Sequence, residues 1–111
     1  MVSIDDFSQL DLRVGIVLTA EKVPKSKNLL KLSVDIGESQ PRQILSGIAN
    51  DYTPEEMIGK KIIVLTNLQP RKMMGLESQG MLLAVDLDEK AVLLKIDDKY
   101  LEKIKPGTKI H

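Results

Sequence analysis

Hydrophobic and polar positions alternate along most of this chain, in short stretches separated by turn-forming residues. Leu12, Val14, Ile16 and Leu18 interleave with Arg13, Gly15, Val17 and Thr19, the two-residue period of a half-buried strand. Pro24, Ser26 and Asn28 mark a turn. Leu30, Leu32, Val34 and Ile36 then alternate with Lys31, Ser33 and Asp35, predicting a second strand that ends at Gly37. The run Gly37-Glu38-Ser39-Gln40-Pro41 has the composition of a hairpin loop, and Arg42 to Ile48 predicts strand three. Lys60 to Leu68 is rich in β-branched residues and predicts strand four. Pro70 to Gly80, polar and basic with glycine at 75 and 80, reads as a loop. Met81 to Leu87 is strand five, and Ala91 to Ile96 a further short strand.

Two places carry helix-start chemistry. Ser3 suits an N-cap, with Asp6 three residues on bonding back to it, so the first ten residues predict a short capped helix. Thr53-Pro54-Glu55-Glu56 combines an N-cap threonine, a proline at the first helical position and a capping-box glutamate. Gly59 ends that helix after about one and a half turns. A last helical turn near Asp98–Ile104 is cut off by Lys105-Pro106-Gly107. Five strands with a short helix between the third and fourth is the element order of an OB-fold, an all-β, partly open barrel that binds oligonucleotides on one face. A small sandwich or another small barrel also fits the short strands and frequent turns.

Composition narrows the chemistry. The length of 111 residues suits a single domain, spanning 1–111, and no repeat, low-complexity tract or linker divides it. With 42% apolar but only 3% aromatic residues (Phe7, Tyr52 and Tyr100), the core is expected to be aliphatic. The absence of cysteine excludes disulfides, thiolate metal sites and a cysteine nucleophile, and the one histidine is the terminal His111. No Walker-type or dinucleotide glycine motif is present, so neither an enzyme nor a cofactor or metal site is expected. The N-terminal residues lack the pattern of a signal peptide, and the longest apolar runs are far too short to span a bilayer, so the expectation is a cytoplasmic protein without a membrane partner.

The net charge is zero, but its distribution is uneven. Lys22 to Val34 holds four lysines and no acid; Met57 to Leu76 holds Lys60, Lys61, Arg71 and Lys72, again without an acid; Asp86 to Glu102 gathers six acids. These runs suit either two differently charged faces or ordinary solvated surfaces.

The stretch from Asn67 through Leu68-Gln69-Pro70-Arg71-Lys72-Met73-Met74-Gly75-Leu76-Glu77-Ser78-Gln79-Gly80 to Met81 is the most specific. It resembles the signature loop of the tRNA-binding domain found at the C-terminus of many methionyl-tRNA synthetases and in free-standing homodimeric tRNA-binding proteins. Phe7 with Asp11-Leu12-Arg13-Val14-Gly15, Leu29-Leu30-Lys31-Leu32, Ser46-Gly47-Ile48-Ala49 and Tyr52-Thr53-Pro54-Glu55-Glu56 followed by Gly59-Lys60 resemble the same family in order. The resemblance implies broad binding of folded tRNA, no catalysis, and a possible partnership with the synthetase catalytic part.

Residue chemistry agrees with it. Arg71 offers a planar fork for phosphate and Lys72 a mobile point charge. Asn67 both donates and accepts, and Ser78 and Gln79 supply neutral hydrogen bonds. Lys31 alternates out of the apolar face of its strand. Lys27 and Ser46 complete the candidate set with Lys31, Asn67, Arg71, Lys72, Ser78 and Gln79. Each also has an ordinary role: solvated charges for the cations, turn satisfaction for Asn67 and Ser78. Met73, Met74 and Met81 are expected as core filler. No aromatic falls in the binding strands or the loop, so backbone and shape recognition is expected in place of base stacking. Ala91 to Ile96, Tyr100, Leu101, Ile104 and Ile110 carry more apolar surface than barrel closure needs, which predicts a C-terminal extension used for homodimerisation. A protein-interaction or chaperone-like module is the alternative reading.

Overall fold

The computed structural model describes all residues from Met1 to His111. Helix α1 (Ile4–Ser8) is followed by strands β1 (Leu12–Lys22), β2 (Leu30–Asp35) and β3 (Arg42–Ser46), helix α2 (Pro54–Met57) and strand β4 (Lys61–Leu65). Six short strands complete the chain: β5 (Arg71–Met73), β6 (Leu76–Ser78), β7 (Met81–Leu82), β8 (Ala84–Leu87), β9 (Lys90–Leu93) and β10 (Lys109–Ile110). The main sheet runs β3-β2-β1-β4-β7, with β10 also paired to β1, and every pairing is antiparallel. It curls into a nearly closed five-strand barrel, the OB-fold architecture expected from the element order.

Both predicted capping boxes form. The Ser3 hydroxyl accepts from the Asp6 N–H while Asp6 accepts from the Ser3 N–H, and Thr53 and Glu56 make the same reciprocal pair. The alternation of β2 is the clearest in the chain: Leu30, Leu32 and Val34 are fully buried while Lys31, Ser33 and Asp35 face outward. With Val17, Ile36, Ile44, Ile48, Met57, Ile62, Val64 and Leu82 these three form one aliphatic core. Truncating a side chain such as Leu32 to alanine would cost about 2–5 kcal/mol, the usual range for a filled aliphatic core.

Several elements differ from the sequence expectation. β1 extends to Lys22 with a bulge between Val17 and Thr19, which turns its outer half away from β4 and along β2. The stretch read as a loop from Pro70 to Gly80 contains a hairpin: β5 and β6 pair Arg71 with Ser78, Lys72 with Glu77 and Met73 with Leu76. Its two-residue turn, Met74-Gly75, has φ of 53° and 77°, the left-handed pair that a two-residue hairpin requires. The strand expected from Met81 to Leu87 breaks at Leu83 into β7, which closes the barrel, and β8, which leaves it to pair with β9. Met73, Met74 and Met81 are not core filler: Met73 is half-buried and Met74 exposed because the hairpin lies outside the barrel, and Met81 is exposed on β7, where its neighbour Leu82 takes the core side.

Candidate nucleic-acid interface

The outer face of β1, β2 and β3 and the β5–β6 hairpin form one surface, joined through the edge of β3. The Leu45 N–H donates to Ser78 Oγ at 3.0 Å, and that hydroxyl donates to the Gly80 carbonyl at 2.9 Å. Gln43 and Gln79 clasp each other: the Gln43 N–H donates to Gln79 Oε1 at 3.0 Å, and the Gln79 N–H donates to the Gln43 carbonyl at 2.8 Å. Gln43 Nε2 also donates to the Glu77 carbonyl at 2.8 Å. These bonds fasten the hairpin to β3 almost as a further strand would.

Register then places the candidate cations. Lys31 is the cross-strand partner of Leu45, Leu45 bonds Ser78, and Ser78 is the partner of Arg71. Lys31 and Arg71 therefore belong to one row of linked residues, through the two cross-strand pairs and the Leu45–Ser78 bond, while Lys72 projects from the opposite face of the hairpin. Lys72 is one residue on, opposite Glu77. Arg71 and Lys72 are exposed and take part in none of the ion pairs of the chain, whereas the Lys31 ammonium sits 2.6 Å from Glu21. Lys27 is exposed in the loop between β1 and β2; that loop is tied to the far end of β3 by Asn28, whose Nδ2 donates to the Gly47 carbonyl at 2.7 Å.

Three of the candidates hold the structure together. Ser78 is only 3% exposed, and both hydrogen bonds described above lie within the chain. Asn67 bridges the end of β4 to the N-terminal segment: its Oδ1 accepts from the Asp11 N–H at 2.8 Å and its Nδ2 donates to the Gln9 carbonyl at 2.6 Å. Gln79 is exposed but spends Oε1 on Gln43. Ser46 is the partner of fully buried Leu30 and so lies on the face of β3 opposite to Gln43 and Leu45; the register does not bring it to the cations.

Arg42 was not singled out in the sequence, yet it joins three segments. Its guanidinium makes paired 2.9 Å bonds to Glu38 in the β2–β3 loop and donates to the carbonyls of Thr66 and Gln79. The Arg42 bonds hold the Glu38 carboxyl below its ordinary range, since they favour its charged form. No sequence signal marks this role, because the two carbonyls lie 24 and 37 residues away.

A groove of about 510 Å³ runs along this face, lined by side chains including Thr19, Glu21, Lys31, Ser33, Gln43 and Gln79. A larger cleft of about 600 Å³ lies elsewhere, between Tyr52, Lys60, Lys61 and the segment from Leu93 to Lys95. It contains none of the candidate residues, and Lys61 there donates to the Leu101 carbonyl, anchoring the C-terminal segment. No group of three or more His, Cys, Asp or Glu side chains converges into a metal cage.

The family model described as "Putative tRNA binding domain" matches residues 12–109, nearly the whole chain. The chain belongs to this tRNA-binding domain family. Among its relatives, the methionine–tRNA ligase of Archaeoglobus fulgidus is 57% identical over 109 residues, covering 98% of this domain and 16% of that protein. The methionine–tRNA ligase of Thermotoga maritima is 51% identical, with the same coverage of 98% and 16%. The tRNA-binding domain thus spans about one-sixth of the length of these ligases. Among solved structures, a MetRS-related protein from Pyrococcus horikoshii superposes with a TM-score of 0.88 at 37% identity, covering 100% of this chain and 98% of the other. A chaperone CsaA from Bacillus anthracis gives 0.86 at 33% identity, covering 100% and 99%.

Proposed function

We propose that this tRNA-binding domain holds folded tRNA by its backbone and shape and performs no chemistry of its own, either free-standing or appended to the catalytic part of a methionine–tRNA ligase. The observation that carries the reading is the row joining Lys31 through Leu45 and Ser78 to Arg71, with Arg71 and Lys72 free of ion pairs on a hairpin docked to the sheet. Cations displayed without internal partners on a hydrogen-bonded platform suit phosphate contacts. Lys27 adds a charge at the far end. Ser78, Gln79 and Asn67 act by holding the platform and its neighbouring segment. No aromatic side chain lies on this surface, which fits recognition without base stacking. The test is titration of total tRNA against the purified protein at several salt concentrations, with duplex DNA as control. Tighter binding of tRNA, falling linearly in log affinity with log salt, supports the reading; equal affinity for both nucleic acids overturns it.

The β8–β9 hairpin supports a homodimer. Val85, Leu87 and Val92 are exposed there, with Tyr100 nearby in sequence, and Ile4, Phe7 and Leu10 of the N-terminal segment are exposed as well. A two-stranded sheet with free edges and an apolar surface is a pairing surface. Light scattering at micromolar concentration tests it, and a monomer overturns it. The exposure of Met74 and Met81, with the likeness to a chaperone CsaA, favours the second reading, binding of unfolded protein segments. Competition between tRNA and a denatured client protein for the same surface separates the two.

A further inference from the structure

Beside the cation row lies a second row of different character. Thr19, Ser33 and Gln43 are consecutive cross-strand partners on β1, β2 and β3, so their side chains project from one face, and Gln79 adjoins Gln43 at the end. All four line the 510 Å³ groove. The row is neutral and mixed in hydrogen-bonding sense. The hydroxyls of Thr19 and Ser33 can both donate and accept. Gln43 donates one Nε2 hydrogen to the Glu77 carbonyl and keeps Oε1 as an acceptor; Gln79 accepts the Gln43 N–H at Oε1 and keeps its side-chain Nε2 as a donor. The one cation in the groove, Lys31, is held 2.6 Å from Glu21, so the local charge is close to balanced.

This chemistry selects among the parts of a nucleic acid. Phosphate oxygens only accept, and Gln43 Oε1 and the Glu21 carboxylate oppose them. A base face needs a flat ring to stack on, and none lines the groove. A deoxyribose offers no hydroxyl within a strand. A ribose 2′-hydroxyl both donates and accepts, which matches every group present. We propose that the groove formed by Thr19, Ser33, Gln43 and Gln79 reads ribose 2′-hydroxyls and makes the domain discriminate ribose from deoxyribose, while Arg71 and Lys72 take phosphates at its rim. This rests on the tRNA reading above and adds what the neutral part of the surface recognises.

The experiment compares a fluorescently labelled tRNA transcript with the same transcript carrying 2′-fluoro in place of 2′-hydroxyl, a change that keeps the helix form but removes the donor. Affinities are measured for the wild type, for the double variant Thr19→Val/Ser33→Ala, and for Arg71→Ala. Thr19→Val keeps a β-branched side chain on the strand, and thermal melting confirms that the double variant folds. The wild type should bind the RNA about tenfold more tightly than the fluoro form, the effect of one or two hydrogen bonds. The double variant should lose most of that difference by weakening on the RNA alone, with an unchanged salt slope. Arg71→Ala should weaken both ligands in parallel. Equal wild-type affinities, or a double variant that weakens on both ligands equally, overturn the groove assignment while leaving the tRNA reading intact. If neither ligand binds, the tRNA reading falls and the groove assignment with it; if Arg71→Ala changes nothing, the hairpin cations do not take phosphates at the rim and that part of the proposal falls.

Discussion

Two hairpins leave the barrel, and they are built alike but held differently. Each has a two-residue turn with both central φ positive: 53° and 77° at Met74-Gly75, 48° and 69° at Asp88-Glu89. The β5–β6 hairpin docks through polar bonds from Ser78, Gln79 and Glu77 to β3, and displays Arg71 and Lys72. The β8–β9 hairpin docks by packing Ala91 and Leu93 against the core, helped by N–H bonds to Asp51 and the Tyr52 hydroxyl, and displays Val85, Leu87 and Val92. The first presents charge and spends its polar groups on attachment. The second spends apolar groups on attachment and still has apolar groups left over. Surfaces of the first kind suit a polyanion; those of the second suit another protein surface.

The comparison can be broken by interchange of character. Leu87→Asp puts a charge on the exposed face of β8 and should weaken self-association about a hundredfold, ~3 kcal/mol for an unpaired charge at an interface, while tRNA binding per protomer survives. Sedimentation and titration on one sample check both halves. Ser78→Ala leaves the Leu45 N–H and the Gly80 carbonyl without their buried partner, which costs about 1–3 kcal/mol. Hydrogen exchange should quicken in β5–β6 and stay unchanged in β8–β9; a uniform change in both would mean that the hairpins are not independent. Arg71→Ala should lower tRNA affinity about tenfold, with the log–log salt slope reduced by about 0.7–0.9, and leave melting unaltered. Lys103→Ala, in the acidic C-terminal region, serves as its control, and equal effects from the two would remove the hairpin from the interface.

The smallest effect concerns pH. Glu38 has its carboxyl pKa depressed in the folded state by Arg42, so its contribution is present above the ordinary value of 4.5 and is lost as pH falls through the lowered one. The stability gap between the wild type and Glu38→Gln, about 0.5 kcal/mol for a pair this exposed, should therefore close between roughly pH 6 and pH 3. A urea midpoint series checks it, and a gap that widens on acidification would contradict the pairing.

What the sequence displayed and what it hid follow from how far each interaction reaches. The Leu30–Ile36 alternation and the Thr53–Glu56 capping box are local, and both were legible. The β5–β6 hairpin was not. Its inward residues, Met73 and Leu76, are only half-buried, its buried residue is the polar Ser78, and Met74 is not a usual turn residue, so neither period nor turn chemistry announced it. Lys31, Arg71 and Lys72 were identifiable by residue type and by resemblance. Their alignment, and the joining roles of Asn67 and Arg42, depend on partners dozens of residues away that no local pattern encodes. β10 is two residues long, too short to show a period.

That last strand sets the order in which the molecule can be finished. β1 receives β4 along one edge and, along the other, β2 over Ile16–Lys22 and β10 at Leu12 and Arg13. Where β2 leaves and β10 arrives, Gly37 and Gly107 meet so closely that a Cβ on Gly107 would lie 2.8 Å from the Ile36 carbonyl oxygen. The first strand is thus completed by nearly the last residues of the chain. Pairings of such long sequence separation close late and slow the search for the native state. During synthesis, the β1–β2–β3 meander can form as soon as it leaves the ribosome, but the pairing of Leu12 with β10 must wait until Ile110 has emerged.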